Sequence, residues 1–256
     1  HESAGGVAAS LFPSEDTGAL IENVRLAASV ETLEYGNFPC YQVLQLACGS
    51  AGGGVGVVTG PSTIYRSGIS GFVRAHLFAG GLAGSMVQGN SLIENSYVQS
   101  EVRQLHASQL EDQEIGGAAG VAGEALGTIR FVYSSATGLT AMFNRASAFV
   151  YSAASGVAVA GSFFDAGVLP GGLGGLSLGG GLFTNELQAG PGSPLFPYTA
   201  WNTNIWEFTE GSYPSLRASV PCYVDFDGNG VIGVEDIFAF LSYWFAADLR
   251  ADATAD

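Results

Sequence analysis

The chain contains no lysine. Its eight basic residues are all arginine and stand against 23 acidic ones, for a net charge of −15 over 256 residues. That balance excludes nucleic acid and anionic membrane surfaces as partners, because both need clustered cations. It favours divalent cations. Without lysine there is no Schiff-base chemistry and no lysine isopeptide anchor. Histidine is nearly as scarce. His1, His76 and His106 form no HExxH pair, which rules out a zinc peptidase of that kind. No uncharged apolar run reaches the roughly 18 residues of a membrane-spanning helix. The opening "HESAGG" has neither the basic start nor the apolar run of a signal peptide, and reads as a mature or trimmed chain.

Cysteine occurs three times. Cys40 and Cys48 flank "CYQVLQLAC" and could close a local disulfide loop if the protein is extracellular; otherwise they read as two buried thiols. Cys222 is then left over.

What the chain does have is glycine, 38 residues of it, and 47% hydrophobic residues, enough to fill a core. Four segments share one pattern, starting at Gly5, Gly53, Gly80 and Gly116. Each opens on Gly-Gly and a short apolar run, then has a polar turn, an isoleucine and an alternating stretch. Alignment on Ile21, Ile64, Ile93 and Ile129 produces columns two residues apart. The columns Leu26/Ile69/Val98/Ser134, Ala28/Gly71/Ser100/Ala136 and Val30/Val73/Val102/Gly138 are apolar or small, as an inward strand face requires. The column Arg25/Gly68/Tyr97/Tyr133 faces outward. A period of two, repeated every 25 to 50 residues or so, predicts stacked strand coils in which each coil's apolar face is buried by its neighbours. The glycine pairs predict tight corners.

The segment "GGLAGSMVQGNSLIENSYVQSEV" resembles the GLUG repeat of bacterial surface proteins: Gly-Gly-Leu-x-Gly, a turn, then Ile-x-Asn-Ser-Tyr. "GVAVAGSFFDAG" (156–167) is similar to a final, degenerate coil, and "WEFTEGSYPSLR" (206–217) to the segment that follows the last repeat. The resemblance covers most of residues 5–217 and implies a β-solenoid of a secreted or cell-surface protein. Within it, the Gly-rich stretch 168–183 lacks the lysine and helix start of a phosphate-cradling loop and reads as a corner-turning insertion.

Residues 225–236, "DFDGNGVIGVED", have the spacing of an EF-hand-type loop. Oxygen ligands are needed at positions 1, 3, 5, 7, 9 and 12, with glycine at 6. Asp225, Asp227 and Asn229 supply 1, 3 and 5, the Val231 carbonyl supplies 7, and Asp236 supplies 12. Gly230 falls at 6, and Gly233 at 9 leaves that position to water. The expected ion is Ca2+. A helix follows, with Ile237, Phe240, Leu241 and Trp244 at i, i+3, i+4, i+7, widened by Phe238 and Phe245. A helix so rich in rings needs a partner surface, and Phe238, Phe240, Leu241, Trp244 and Phe245 are the expected partner-binding residues.

A calcium loop followed by one helix, with Asp rather than Glu at position 12, resembles a dockerin repeat. Dockerins carry two such repeats and bind a cohesin domain. Here the second is a fragment: Asp252, Thr254 and Asp256 would be its positions 1, 3 and 5. The overall resemblance is to large secreted proteins of planctomycete-like bacteria that end in dockerin-like tails.

Catalytic pairs are not evident. Glu22, Glu94, Glu101 and Glu124 lie in the repeats. Glu22 and Glu94 align, but Tyr65 falls between them, and the four read as solvated carboxylates. No Gly-x-Ser-x-Gly motif has the strand–helix context of a nucleophile elbow. The expectation is a non-enzymatic, all-β protein, secreted or at the cell surface, with a β-solenoid over 1–217 and a dockerin-like calcium-loop–helix module over 218–256. Its function would be structural or adhesive, as a surface or filament component. Its tail would dock a cohesin-like receptor or a neighbouring copy, and end-to-end polymerisation of the coils is a further option. The alternative is a carbohydrate-binding or carbohydrate-active component of a dockerin-tethered complex; Tyr97 and Tyr133 could stack on polysaccharide or could equally pack under a loop.

Overall fold

The structure, a computed structural model, describes residues 4–11, 19–32, 50–87, 90–105, 116–141, 145–153, 157–168, 178–217 and 233–245. The chain divides into two compact units. One is His1–Trp201 with Phe208–Leu216, the other Asn202–Glu207 with Arg217–Asp256.

The first unit is five turns of chain that repeat one circuit. The first coil is β1 (Ala4–Gly5), β2 (Ala8–Leu11), β3 (Leu20–Glu22) and β4 (Arg25–Glu31). The second is β5 (Ala51–Gly52), β6 (Val55–Val58), β7 (Thr63–Tyr65) and β8 (Gly68–Ala75). The third is β9 (Phe78–Gly80), β10 (Ala83–Met86), β11 (Leu92–Glu94) and β12 (Tyr97–Gln104). The fourth is β13 (Gly117–Ala119), β14 (Ala122–Ala125), β15 (Thr128–Arg130), β16 (Tyr133–Ser134) and β17 (Thr137–Thr140). The fifth is β18 (Ala146–Ser147), β19 (Val150–Ala153), β20 (Ala158–Ala160) and β21 (Phe163–Asp165). After it, β22 (Gly180–Leu182) adds one more strand beside β21 and leads into a single helical turn, α1 (Thr184–Leu187).

Strands pair in parallel with their counterparts one coil away, giving the open sheets β1-β5-β9-β13-β18, β2-β6-β10-β14-β19, β3-β7-β11-β15-β20 and β4-β8-β12-β16-β21-β22. The architecture is all-β and solenoid-like. The isoleucine alignment is its register: Ile21 pairs Ile64, Ile64 pairs Ile93, Ile93 pairs Ile129, and Val159 continues the column. The four isoleucines are buried. Burial of each contributes roughly 1.5–3 kcal/mol.

The Ile-x-Asn-Ser signature has a physical reason. Two residues after each isoleucine the chain turns from one sheet to the next through the left-handed region, at Asn23, Arg66, Asn95 and Phe131, with φ of 48–57°. Asparagine tolerates that region better than most residues. The serine that follows ties coils together. Ser96 Oγ donates to its own Glu94 carbonyl at 2.8 Å and accepts the Ser67 N–H of the previous coil at 3.1 Å. Ser162 does the same with Ala160 and Val132.

Two expected registers are corrected. The corner glycines that stack are Gly5, Gly52 and Gly80, followed by Ala119, so the second coil uses Gly52-Gly53 and the fourth uses Ala119-Gly120 rather than Gly116-Gly117. The fourth coil reaches Ile129 through a turn three residues shorter than that of the third, although Gly81 and Gly117 both stand 12 residues before their isoleucine. The column Val30/Val73/Val102 does not continue into Gly138. A bulge shifts the pairing between Glu101↔Thr137 and Arg103↔Thr140, Gly138 takes φ +59°, and Leu139 is buried in its place.

Candidate functional site: an exposed helix face and the outer columns of the coils

In the second unit, α2 (Val234–Phe245) begins within the last residues of the 225–236 stretch. Gly233 stands just ahead of it and donates its N–H to Asp236 Oδ2 at 2.7 Å, so the first turn is held by its own carboxylate. Asp236 is buried. Asp225, Asp227, Asn229 and Val231 lie outside the described residues, as do Asp252, Thr254 and Asp256, and Cys40, Cys48 and Cys222. Among the described residues no three His, Cys, Asp or Glu converge as a metal site.

The apolar face of α2 differs from the expected stripe. Val234, Ile237, Phe238, Leu241 and Phe245 are the exposed ones, from 37% at Leu241 to 82% at Phe245. At 100° per residue these five fall within one third of the circumference. Phe240 is only half exposed and shares the opposite side with Asp236. The side chain of Trp244 is outside the described set. The face was legible from the i, i+3, i+4, i+7 rule, but the start had to be Val234 rather than Ile237.

The outward column Arg25/Gly68/Tyr97/Tyr133 is not a free face. Tyr97 stacks on Tyr133 at 5.5 Å, and Tyr133 stacks on Tyr213 at 5.9 Å. The Tyr133 hydroxyl donates to the Pro214 carbonyl at 2.8 Å and accepts from Gln99 at 3.0 Å. It is fully buried, and burial pushes its phenol well above the ordinary tyrosine range. Arg25 donates to the Leu216 carbonyl. Residues 208–216 thus strap Arg25 and Tyr133, so Tyr133 offers no open ring to a sugar, while Tyr97 is half-buried with one face on Tyr133. The strap is anchored at the last coil by Asp165, which accepts from the Gly167 N–H at 2.7 Å, from Thr184 Oγ1 at 3.0 Å and from the Tyr213 hydroxyl. Burial and the Asp165 carboxylate both push the Tyr213 phenol up. Beside it, Phe163 meets Tyr198 edge-on at 5.6 Å, and Trp201 Nε1 donates to the Gly161 carbonyl at 2.7 Å. That these tyrosines could pack under a loop was open from the sequence; nothing in it marked a segment about 80 residues downstream as the cover of Tyr133.

Three of the four coil carboxylates, Glu94, Glu101 and Glu124, have an arginine or serine partner, and Glu22 is exposed. Glu22, Tyr65, Glu94 and Arg130 stack in one column, as alignment predicts. Arg130 holds Glu94 with two contacts, Nε–Oε1 at 2.7 Å and Nη2–Oε2 at 3.1 Å. Glu101 pairs with Arg103. Glu124 accepts from Ser85 Oγ at 2.8 Å, and burial outweighs that bond to raise its carboxyl above the ordinary range. A raised acid is favoured neutral in the folded state. Its contribution is therefore intact below the ordinary Glu pKa and is lost as pH rises through the raised value. Glu124→Gln keeps the Ser85 bond without the charge. Its urea midpoint should change less than the parent's across that window, and an unchanged pH profile would refute this role.

No protein-family model matches the chain, and no curated protein matches it. A solved structure, that of a "putative immunoglobulin A1 protease" from Bacteroides ovatus, is similar, with 19% identity and a TM-score of 0.53 over 85% of this chain. The match covers 64% of that protein's chain, so this chain spans less than two thirds of its length. At this identity the likeness is one of fold, and the fold it supports is the solenoid-like stack of coils.

Proposed function

We propose that this is a non-enzymatic extracellular protein, a structural or adhesive component of a bacterial surface, in which the coils form a rigid spacer and the C-terminal unit docks a protein partner under the control of calcium. The exposed stripe Val234/Ile237/Phe238/Leu241/Phe245 carries the reading. A soluble helix keeps such a face only where something covers it. Asp225, Asp227, Asn229, the Val231 carbonyl and Asp236 would hold Ca2+; the ion would neutralise the clustered carboxylates and order the loop. Asp236 fits that role by position, since it sits in the first turn of the helix that leaves the loop. The partner is a cohesin-like receptor or a neighbouring copy. Engagement of Glu94, Glu101 and Glu124 by arginine or serine and coverage of Tyr133 support the non-catalytic, non-glycan reading over the alternative. No described helix is long and apolar enough to cross a bilayer.

Calcium titration by calorimetry, with circular dichroism alongside, tests this. The parent should bind calcium and gain helical signal. Asp225→Ala with Asp227→Ala should weaken binding by roughly 100-fold or more, because two of the charged ligands are gone. If parent and variant respond alike, calcium docking through this module is wrong.

A further inference from the structure

Five arginines have an acceptor in the structure. Arg25 donates to the Leu216 carbonyl and Arg217 to the Thr203 carbonyl. Arg74, Arg103 and Arg130 pair with Glu31, Glu101 and Glu94. Arg66 is different. It is 7% exposed, and among the described residues it is the one buried arginine. Its Nε is shut off from solvent and has no hydrogen-bond partner, and its guanidinium forms no ion pair with a described carboxylate. A buried charge without a partner is costly. A lysine or histidine could shed its proton to escape that cost; a guanidinium cannot at any ordinary pH. The positive charge of Arg66 therefore persists in the folded chain.

We infer that the Arg66 corner is a binding site for a small oxyanion, a sulfate, a phosphate or a single carboxylate, which serves as the counter-ion that the fold does not provide. Arg66 turns the chain from β7 to β8 in the left-handed region, with φ 49°. Its neighbours in the stack are the matching corners at Asn23 and Asn95, with φ 57° and 48°. Backbone bonds fix this register. The Asn23 N–H donates to the Tyr65 carbonyl at 3.2 Å, and the Arg66 N–H donates to the Glu94 carbonyl at 3.1 Å. Two further donors belong to the same corner. The Asn23 residue is exposed one coil away, and the Tyr65 phenol precedes Arg66 in the chain. That phenol stays protonated near neutral pH, because burial first and the Glu94 charge second push it up, against the pull of Arg66. A guanidinium fork suits the paired oxygens of an oxyanion, and hydroxyl and carboxamide donors complete such a site.

The carboxylates that register brings nearest do not serve Arg66. Glu94 is held twice by Arg130. Glu22 is exposed and forms no ion pair with a described arginine. The net charge of −15 also selects the kind of anion. A long polyanion would feel that charge along its whole length. A small ion held against the guanidinium meets the local positive charge, while carboxylates more than about 8 Å away are screened by salt.

The test is thermal unfolding of the full chain, followed by circular dichroism without added calcium, in a zwitterionic buffer free of oxyanions. Sodium sulfate and sodium acetate are the probes, with sodium chloride at matched ionic strength as the reference. The parent's midpoint should rise by roughly 3–8 °C and level off as a bound site fills, within about 50 mM of either probe. Arg66→Met and Arg66→Gln keep the stem and drop the charge, and both should lose the saturable rise. The general stabilisation by sulfate acts on parent and variants alike and is thereby subtracted. Without oxyanion, Arg66→Met should melt no lower than the parent, because it removes a buried charge that nothing offsets. A parent with no saturable rise overturns the inference, and so does a rise that survives in both variants. A rise that appears only in Glu22→Gln overturns it too, since Glu22 would then be the counter-ion in solution. Polygalacturonate is the last probe: if it acts at a lower carboxylate concentration than acetate, the site serves a polymer and the small-ion assignment is wrong.

Discussion

Gly81→Ala should destabilise the coil stack by about 3–5 kcal/mol, a large share of the roughly 5–15 kcal/mol by which a typical domain is stable. A methyl group at this corner would overlap the Gly120 carbonyl oxygen of the next coil and Cγ1 of Val98 across its own coil. The same arrangement recurs one coil away at Gly53, where the obstacles are the Gly81 carbonyl and Ile69, and at Gly6, where they are the Gly53 carbonyl and Leu26. The inner column Leu26/Ile69/Val98/Ser134 therefore packs directly onto a column of glycines. None of these glycines has a positive φ. They are required for space, and the predicted tight corner is tight because the coil is thin. Val98→Ala should rescue Gly81→Ala only in part, because the carbonyl cannot be trimmed. Gly192→Ala is the control: nothing lies within 4 Å of its added Cβ, and its urea midpoint should match the parent's. Equal midpoints for Gly81→Ala and Gly192→Ala would refute the close-packed corner.

Asp165→Ala should cost about 3–5 kcal/mol by the same measurement, because it strands three donors at a site where the carboxylate is 1% exposed. Asp165→Asn keeps one oxygen for Gly167 and Thr184, so a loss of about 1–2 kcal/mol is expected. Tyr213→Phe should fall near Asp165→Asn. Beyond stability, Asp165→Ala should loosen the strap that covers Tyr133, on which Tyr97 stacks. Both rings should then react with a tyrosine-modifying reagent faster than in the parent, while Tyr65, on another sheet, should not change. If Asp165→Ala leaves both stability and tyrosine reactivity unaltered, the carboxylate is not the anchor of the strap.

Much of the architecture was readable because it obeys local rules. Period-2 alternation marked the strands, and the isoleucine column set the register over four coils up to the bulge near Gly138. The glycine pairs misled where the count of glycines exceeded the need. Gly52-Gly53-Gly54 contains two overlapping pairs, and only backbone register tells them apart. Gly116-Gly117 looks like a corner, but the corner comes three residues later, at Ala119-Gly120. The bulge at Gly138 was invisible because either Gly138 or Leu139 satisfies an alternating pattern, and the choice depends on which one the core has room for. On α2, counting from Ile237 assigned Phe240 to the exposed stripe. The helix starts three residues earlier, and a stripe counted from Val234 runs through Phe238 and Phe245 instead.

By itself the sequence determined the all-β class, the stacking of coils, the isoleucine register and the amphipathic C-terminal helix. Each of these follows from residue spacing, and spacing acts locally, through the pleat of a strand or the pitch of a helix. Tertiary structure alone decided what the outward side chains do. Tyr133 became a buried pillar, Glu94 an arginine's partner and Asp165 an anchor, because segments distant in sequence came to lie against them. Which of a strand's two faces meets solvent is set by alternation, but whether another part of the chain then covers that face is a contact at long range, and no spacing rule encodes it.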